Sequence, residues 1–204
     1  GLRELKSIQK KTGVTCKSIC ADYFMENLLF DTECEVTDAM EVLRSLVEVA
    51  SDLGITYIII PFVDSSSIDH FGDDRLITFF ESLGEAFADT KVEFHLETDI
   101  HYTRLHHIIS SVDREIFVNF DMGNSASLNF DPRSEIQTLK NYIRSVHVKD
   151  RIVGGGSVVL GSGNVEFQIV FELLNDIGFE RWFVLQVSRN DRFVEDMWIK
   201  RNME

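Results

Sequence analysis

The chain alternates between short apolar runs and longer segments whose apolar residues recur at helical spacing. The short runs are rich in Val, Ile and Phe and predict strands, because a strand buried on both faces reads as continuous apolar sequence. The segments between them place apolar residues every three or four positions, which predicts amphipathic helices. The predicted strands are 14–21, 56–63, 91–98, 115–121, 145–150 and 181–187. The predicted helices are 2–11, 36–53, 73–88, 102–111, 134–144 and 165–177.

This regular order predicts an α/β fold in which six parallel strands are joined by right-handed crossovers. An open dinucleotide-binding sheet is disfavoured, because no Gly-x-Gly-x-x-Gly sequence follows the first predicted strand. Polar residues instead recur near the ends of several different strands. Catalytic groups have that placement at the C-terminal face of a parallel (β/α) TIM-type barrel. We therefore predict one barrel domain over residues 1–204.

Charge and cysteine content narrow the range of partners. The chain has 34 acidic and 20 basic residues and a net charge of −14. That balance opposes nucleic-acid binding, whose affinity comes largely from Lys and Arg on phosphates. No apolar run approaches the roughly 20 residues of a membrane span, so no membrane partner is expected. The three cysteines form no Cys-x-x-Cys pair. This pattern is typical of reduced thiols, and we expect a cytoplasmic protein.

Four polar residues follow apolar sequence at or near the ends of consecutive predicted strands: Glu97, Asp121, His147 and Gln186. The first three are spaced by about one βα unit, and the longer last interval contains a Gly-rich loop. Equivalent positions on successive barrel strands converge on one point. Two carboxylates, an imidazole and an amide oxygen suit Mn²⁺, Mg²⁺ or Co²⁺, with Zn²⁺ as a further choice. The alternative is four unrelated strand-end groups.

Five segments in order resemble the xylose isomerase-like barrel superfamily, especially its sugar phosphate isomerase and epimerase members: HLETD, NFDMGNSAS, HVKDR, LGSGNVEF and FVLQVSR. The resemblance implies that Glu97, Asp121, His147 and Gln186 bind one divalent metal ion, and that Glu97 transfers a proton. It also implies eight strands, so we expect a barrel lacking its first two. Gln186 departs from the family, which has a second glutamate there, and an amide cannot accept a proton at neutral pH.

The function that the resemblance implies is a metal-dependent isomerase or epimerase of a sugar or sugar phosphate, acting through a metal-stabilised enediolate. Because only Glu97 matches a family base position, a one-base isomerisation is favoured over a two-base epimerisation. A non-catalytic or degenerate sugar-binding barrel is the alternative, and both Gln186 and the missing strands favour it. The abasic-site endonuclease branch is disfavoured, since it needs several zinc ions, many more histidines and a cationic DNA-binding face.

Further candidates for substrate binding lie in the same motifs: Asn124, Lys149, Asp150, Arg151 and Arg189. Each also has a structural interpretation. Asn124 suits a turn, and Asp150 and Arg151 suit a loop ion pair. Lys149 and Arg189 suit solvent-facing positions.

A six-stranded barrel sheet leaves two open edges, beside 14–21 and 181–187. Because both runs are apolar, we expect either pairing with a second copy of the chain or marginal solubility and stability.

Overall fold

The computed structural model describes residues 1–26 and 33–186, and the side chains of residues 33–36 lie outside that description. The strands are β1 (Ser18–Cys20), β2 (Tyr57–Phe62), β3 (Glu93–Thr98), β4 (Phe117–Asp121), β5 (Ile143–Val148), β6 (Asp150–Arg151), β7 (Ser157–Val158) and β8 (Trp182–Leu185). The helices are α1 (Leu2–Thr12), α2 (Tyr23–Glu26), α3 (Glu33–Leu53), α4 (Asp73–Ala86), α5 (Tyr102–Ser110), α6 (Met122–Ser127), α7 (Pro132–Leu139) and α8 (Phe167–Asp176), with a 3₁₀ turn at Asp64–Ser66.

Six strands form a parallel sheet in the order β1-β2-β3-β4-β5-β8, and β6 pairs with β7 in a separate antiparallel ribbon. Helices alternate with the strands of the main sheet. This arrangement confirms the predicted α/β class and the count of six parallel strands. Within the described residues, no helix is long and apolar enough to cross a membrane.

The predicted helix at 134–144 differs most from the structure. Asp131 accepts a hydrogen bond from the Ser134 amide at 3.0 Å, and Pro132 follows it, so α7 begins two residues earlier than predicted. Both features are typical of a helix start. The Val118 amide donates to the carbonyl of Tyr142, at 2.8 Å, and the strand β5 begins at the next residue. Residues 143 and 144, which were predicted to end the helix, are therefore the first two residues of β5.

The chain divides into two compact units, and the first contains residues 1–100 and 107–117. Its central strand β2 is buried at every position, and β1 and β3 pair with it on either side. His95 of β3 is fully buried, stacks on Tyr57 with ring centroids 4.4 Å apart, and lies 3.1 Å from the Glu93 carboxylate. His95 is therefore a hydrogen-bonded core histidine.

The second unit contains residues 101–106 and the chain from 118 onward. In its three parallel strands, Asp121 of β4 lies opposite His147 of β5, which lies opposite Val184 of β8. One layer deeper along the strands, the Ser145 hydroxyl donates to Asn119 Oδ1 at 2.7 Å, and both side chains are buried. Polar groups thus continue from the strand ends into the interior of this unit, where each needs a partner.

The last strand of the sheet has large apolar side chains in contact with solvent. Trp182, Phe183 and Leu185 of β8 are exposed in the described chain. The expected open edge beside 181–187 concerns backbone pairing and extends past the described residues, so it stays a prediction. Pairing with a second copy of the chain stays a prediction.

Candidate metal centre

Asp121 ends β4 and is also the residue that caps the N-terminus of α6. Its Oδ1 atom accepts a hydrogen bond from the Asn124 amide at 2.8 Å, which fixes the orientation of the carboxylate. Its Oδ2 atom is buried and accepts no hydrogen bond from any described residue. His147 Nδ1 and Lys149 Nζ each lie 3.6 Å from that oxygen, which is too far for a hydrogen bond.

The electrostatics of this carboxylate favour its charged form. Burial alone would raise the pKa of Asp121. His147, Lys149 and the Asn124 amide oppose that effect, and the pKa of Asp121 falls below its ordinary value. Asp121 is therefore ionised at neutral pH and is a candidate oxygen ligand. Its Oδ2 atom has the Lys149 ammonium nearby but accepts no hydrogen bond from a described residue, so it keeps a coordination position for a cation.

Gln186 follows β8, and its backbone amide donates to the carbonyl of Val148 at 3.0 Å. It lies two residues after Val184, so it is on the same face of the strand, next to the row that contains His147. Its side-chain oxygen Oε1 is buried and has no hydrogen-bond partner among the described residues. A second oxygen atom in this unit is therefore available to a cation.

Glu97 belongs to the first unit, in β3, where it lies opposite Pro61 of β2 and is 4% exposed. Asp121 and His147 of the second unit each offer one ligand atom to a metal ion. With Glu97, which the family resemblance assigns to the same ion, the donor set would comprise two carboxylates and an imidazole, and such a set suits a hard or borderline divalent ion.

Lys149 Nζ lies 3.6 Å from the Asp121 carboxylate, and Asn124 follows Asp121 in the first turn of α6. Arg151 donates to Asn124 Oδ1 at 2.8 Å and to the Gly155 carbonyl at 3.0 Å, so its guanidinium is held in place. Gly123 permits this packing, because a Cβ there would lie 2.9 Å from Lys149 Cγ and 3.1 Å from Arg151 Cγ. The structure brings these three substrate-binding candidates to one side of α6.

Asp150 supports the Gly-rich loop that follows β5. Its two carboxylate oxygens accept the amides of Gly163, at 2.8 Å, and Val165, at 3.1 Å. The residue is 1% exposed. These contacts give Asp150 a role in bracing the loop, which differs from the ion pair with Arg151 that was its structural interpretation, and substrate binding by Asp150 stays a prediction. Arg189, the last substrate-binding candidate, lies outside the described residues.

Sequence reasoning missed a second buried carboxylate in this unit. Glu135 of α7 is buried and accepts a short hydrogen bond from the Ser125 hydroxyl of α6. Burial raises the pKa of Glu135 to about 7, and the negative charges of Asp121 and Asp131 add to this rise. The Ser125 hydrogen bond lowers the pKa but only partly offsets the effect of burial. The signal was present in the sequence, because Glu135 shares the buried face of α7 with Leu139, four residues later.

Comparison with known proteins decides the family. Residues 1–202 match the family described as xylose isomerase-like TIM barrel. The chain belongs to this family. The match confirms both the resemblance seen in the sequence and the TIM-type barrel fold. Among solved structures, this xylose isomerase-like chain is similar to the IolI protein with a bound zinc atom. Their TM-score is 0.81 at 14% identity, over 100% of this chain and 79% of that one.

Two curated relatives have named activities. An inosose dehydratase from Klebsiella pneumoniae is 25% identical over 142 residues, covering 57% of this chain and 48% of the relative. The L-ribulose-5-phosphate 3-epimerase UlaE from Salmonella heidelberg is 26% identical over 186 residues, covering 86% of this chain and 65% of the relative. The chain thus spans about half to two thirds of the length of these relatives. Dehydratases and epimerases of small sugar-like molecules occur in its superfamily.

Proposed function

We propose that this chain is a divalent-metal-dependent isomerase or epimerase of a sugar or sugar phosphate. The observation that carries the proposal is Asp121 Oδ2, an ionised and buried oxygen that accepts no hydrogen bond from the described residues. His147 Nδ1 lies 3.6 Å away. Two ligand atoms at roughly 2.0–2.2 Å from one ion are about 3–4 Å apart, so this spacing fits a shared metal.

Four residues would hold the ion: Glu97, Asp121, His147 and Gln186. The carboxylates and the Gln186 amide oxygen are hard donors, and His147 adds one nitrogen, which favours Mn²⁺, Mg²⁺ or Co²⁺ and also allows Zn²⁺. When bound, such an ion polarises the substrate carbonyl and stabilises the negative charge that develops on its oxygen.

The proton transfer falls to Glu97, which takes the proton from the carbon next to the substrate carbonyl and returns it to the product. Gln186 cannot share this task, because an amide does not accept a proton near neutral pH. A single base moves a proton between two neighbouring carbons, as an aldose–ketose isomerisation requires. Isomerisation is therefore the preferred reaction, and epimerisation is the second choice.

The positive groups beside Asp121 suit an oxygen-rich, anionic substrate. Arg151 is oriented by two hydrogen bonds, and a guanidinium held in this way recognises phosphate or neighbouring hydroxyl oxygens. Lys149, 17% exposed, supplies a second cation. These groups favour a sugar phosphate over an uncharged sugar.

Two measurements on the purified chain test the proposal. Calorimetry with Mn²⁺ and Co²⁺ should show one bound ion. Deuterium from solvent should then enter a pentose or hexose phosphate at the carbon next to the carbonyl, with metal present. Glu97→Gln should abolish this exchange, whereas Glu172→Gln, an exposed change on α8, should leave it intact.

The outcomes separate the alternatives. Metal binding without deuterium exchange on any pentose or hexose phosphate would favour a sugar-binding barrel that performs no catalysis. Absence of Mn²⁺ and Co²⁺ binding in the folded protein would refute the metal site and the reaction proposed for it.

A further inference from the structure

The short helix α6 connects the proposed metal ligand to the substrate-binding side chains. Asp121 caps its first turn through the Asn124 amide, and Asn124 in turn receives the Arg151 guanidinium through its side chain. One residue later, Ser125 donates to Glu135 of α7. A helix of six residues has little stability of its own. Its position therefore depends on these contacts.

One side of α6 is not supported by close packing. A cavity of about 330 Å³ lies against its residues Met122, Ser125 and Ala126. Its other walls include Phe130, Val165 and Val170. Because this pocket opens to solvent, fewer side chains pack against this side of α6, and the helix has room to shift toward it. The hydrogen bond from Ser125 to Glu135 opposes such a shift.

The environment of Glu135 shows that this bond is its main compensation for burial. Glu135 is 8% exposed, and Ser125 is 6% exposed. Among the described residues, the charged groups that shift the pKa of Glu135 are Asp121, at the end of β4, and Asp131, at the start of α7, and both are acidic. A buried carboxyl group without a nearby cation is costly for stability, so its presence calls for a specific role.

We propose that Glu135 is a positioning residue, which holds α6 through Ser125 and thereby fixes the Asp121 carboxylate and the Asn124 side chain. This inference rests on the proposed function for its consequence, namely that metal affinity depends on Glu135. Its structural part, that Glu135 sets the stability of the Asn124 amide hydrogen bond, is independent of any metal. Gln at this position keeps an acceptor for the Ser125 hydroxyl, whereas Ala removes it.

Amide hydrogen exchange, followed residue by residue by NMR in the metal-free chain, tests the structural part. In Glu135→Ala, the Asn124 amide should exchange about tenfold faster, the factor expected for loss of one typical hydrogen bond. Glu135→Gln should restore the original rate. The Gly163 amide, bonded to Asp150 at 2.8 Å in the Gly-rich loop, should be unchanged and serves as the control.

The Mn²⁺ dissociation constant tests the functional part. It should rise about tenfold in Glu135→Ala, as for other residues that orient metal ligands, and return to the original value in Glu135→Gln. If Glu135→Ala does not fold, Ser125→Ala replaces it in both the Asn124 exchange measurement and the Mn²⁺ binding measurement. The proposal would be overturned if the Asn124 amide exchanges at the original rate in the folded Glu135→Ala variant. It would also be overturned if Glu135→Gln gives the same exchange rate and Mn²⁺ dissociation constant as Glu135→Ala. If the unaltered chain binds no Mn²⁺, the proposed function fails, and the exchange rates still decide whether Glu135 positions α6.

Discussion

The carboxyl end of β4 and the buried face of α7 each hold a carboxylate, and the two carboxylates differ in their neighbours. Asp121 lies 3.6 Å from both His147 and Lys149, and its pKa is lowered. Glu135 has the hydroxyl of Ser125 and two acidic residues around it, and its pKa is raised to about 7. Both groups are buried.

The comparison shows that burial does not by itself decide the charge of a carboxyl group in this protein. Burial raises the pKa of both groups, and at Asp121 the neighbouring His147 and Lys149 side chains and the Asn124 amide reverse that effect. The strand end is thereby prepared to attract a cation. The α7 face instead keeps a carboxyl group that is partly protonated at neutral pH and is suited to a hydrogen bond.

Removing the charged carboxylate should have the largest effect. We expect Asp121→Ala to abolish binding of Mn²⁺ and Co²⁺, because it removes an ionised oxygen ligand of the proposed site. Calorimetry on the folded variant measures this directly. Glu172→Ala removes an exposed carboxylate of the same unit and should leave affinity unchanged. Retained affinity in Asp121→Ala would place the metal elsewhere.

Neutralising the second carboxylate should change the pH dependence of stability. The pKa of Glu135 rises from 4.5 to about 7 on folding, so the folded state binds the proton more tightly than the unfolded state. Its contribution to stability is complete below pH 4.5 and is lost as the pH rises to about 7. The loss amounts to about 3 kcal/mol, at 1.36 kcal/mol per pKa unit.

Glu135→Gln has no such proton to lose. The free energy of unfolding of this variant, relative to that of the unaltered chain, should therefore rise from pH 5 to pH 7 and stay constant above pH 7. Urea unfolding between pH 5 and pH 8 measures this difference. Glu172→Gln, on the exposed face of α8, should show no such trend. Parallel pH profiles for the unaltered chain and Glu135→Gln would mean that Glu135 ionises normally in the folded protein.

Removing one of the cations should make Asp121 more like Glu135. In Lys149→Met, we expect the pKa of Asp121 to rise and the free energy of unfolding at pH 7 to fall by about 2–3 kcal/mol, because a buried charge loses a partner. Mn²⁺ should bind more tightly, since the ammonium group no longer competes for Oδ2. Lys140→Met, an exposed change after α7, is the control for both measurements. Weaker Mn²⁺ binding in Lys149→Met would show that Lys149 does not compete with the metal.

The fold was largely predictable because its elements have strong local signals. The continuous apolar run of β2 and the helical spacing of α4 were predicted to within a few residues of their observed bounds. Three short elements were not predicted: α2, α6 and the ribbon of β6 with β7. A single turn and a half of helix or a two-residue strand is too short for periodicity to show, and α6 depends on contacts with α7 and β6.

The candidate ligands were predictable for a different reason. Strand ends in a parallel sheet meet at one edge, so the spacing of Asp121 and His147 by one βα unit was enough to pair them. Glu135 was not found, because a Glu in a helix is usually solvated and its burial depends on α6 packing over it. The dual role of Asp121, as helix cap and proposed ligand, also needed coordinates, since it requires knowing which carboxylate oxygen faces which neighbour.

The smallest expected effect concerns the loop that Asp150 braces, next to the same strand ends. A Cβ at Gly163 would lie 2.3 Å from Asp150 Oδ1 and 2.6 Å from the Arg151 carbonyl oxygen, and the latter belongs to backbone that cannot easily move. Gly163→Ala should therefore lower the free energy of unfolding by about 2 kcal/mol, the usual cost of forcing extra volume into a packed site. Gly156→Ala in the same loop is the matched control, because a Cβ there would have no atom within 4 Å. Urea unfolding at pH 7 compares the two variants. If they are equally stable, the contacts of Asp150 do not hold this loop, and its carboxylate is then available to substrate, as its other interpretation requires.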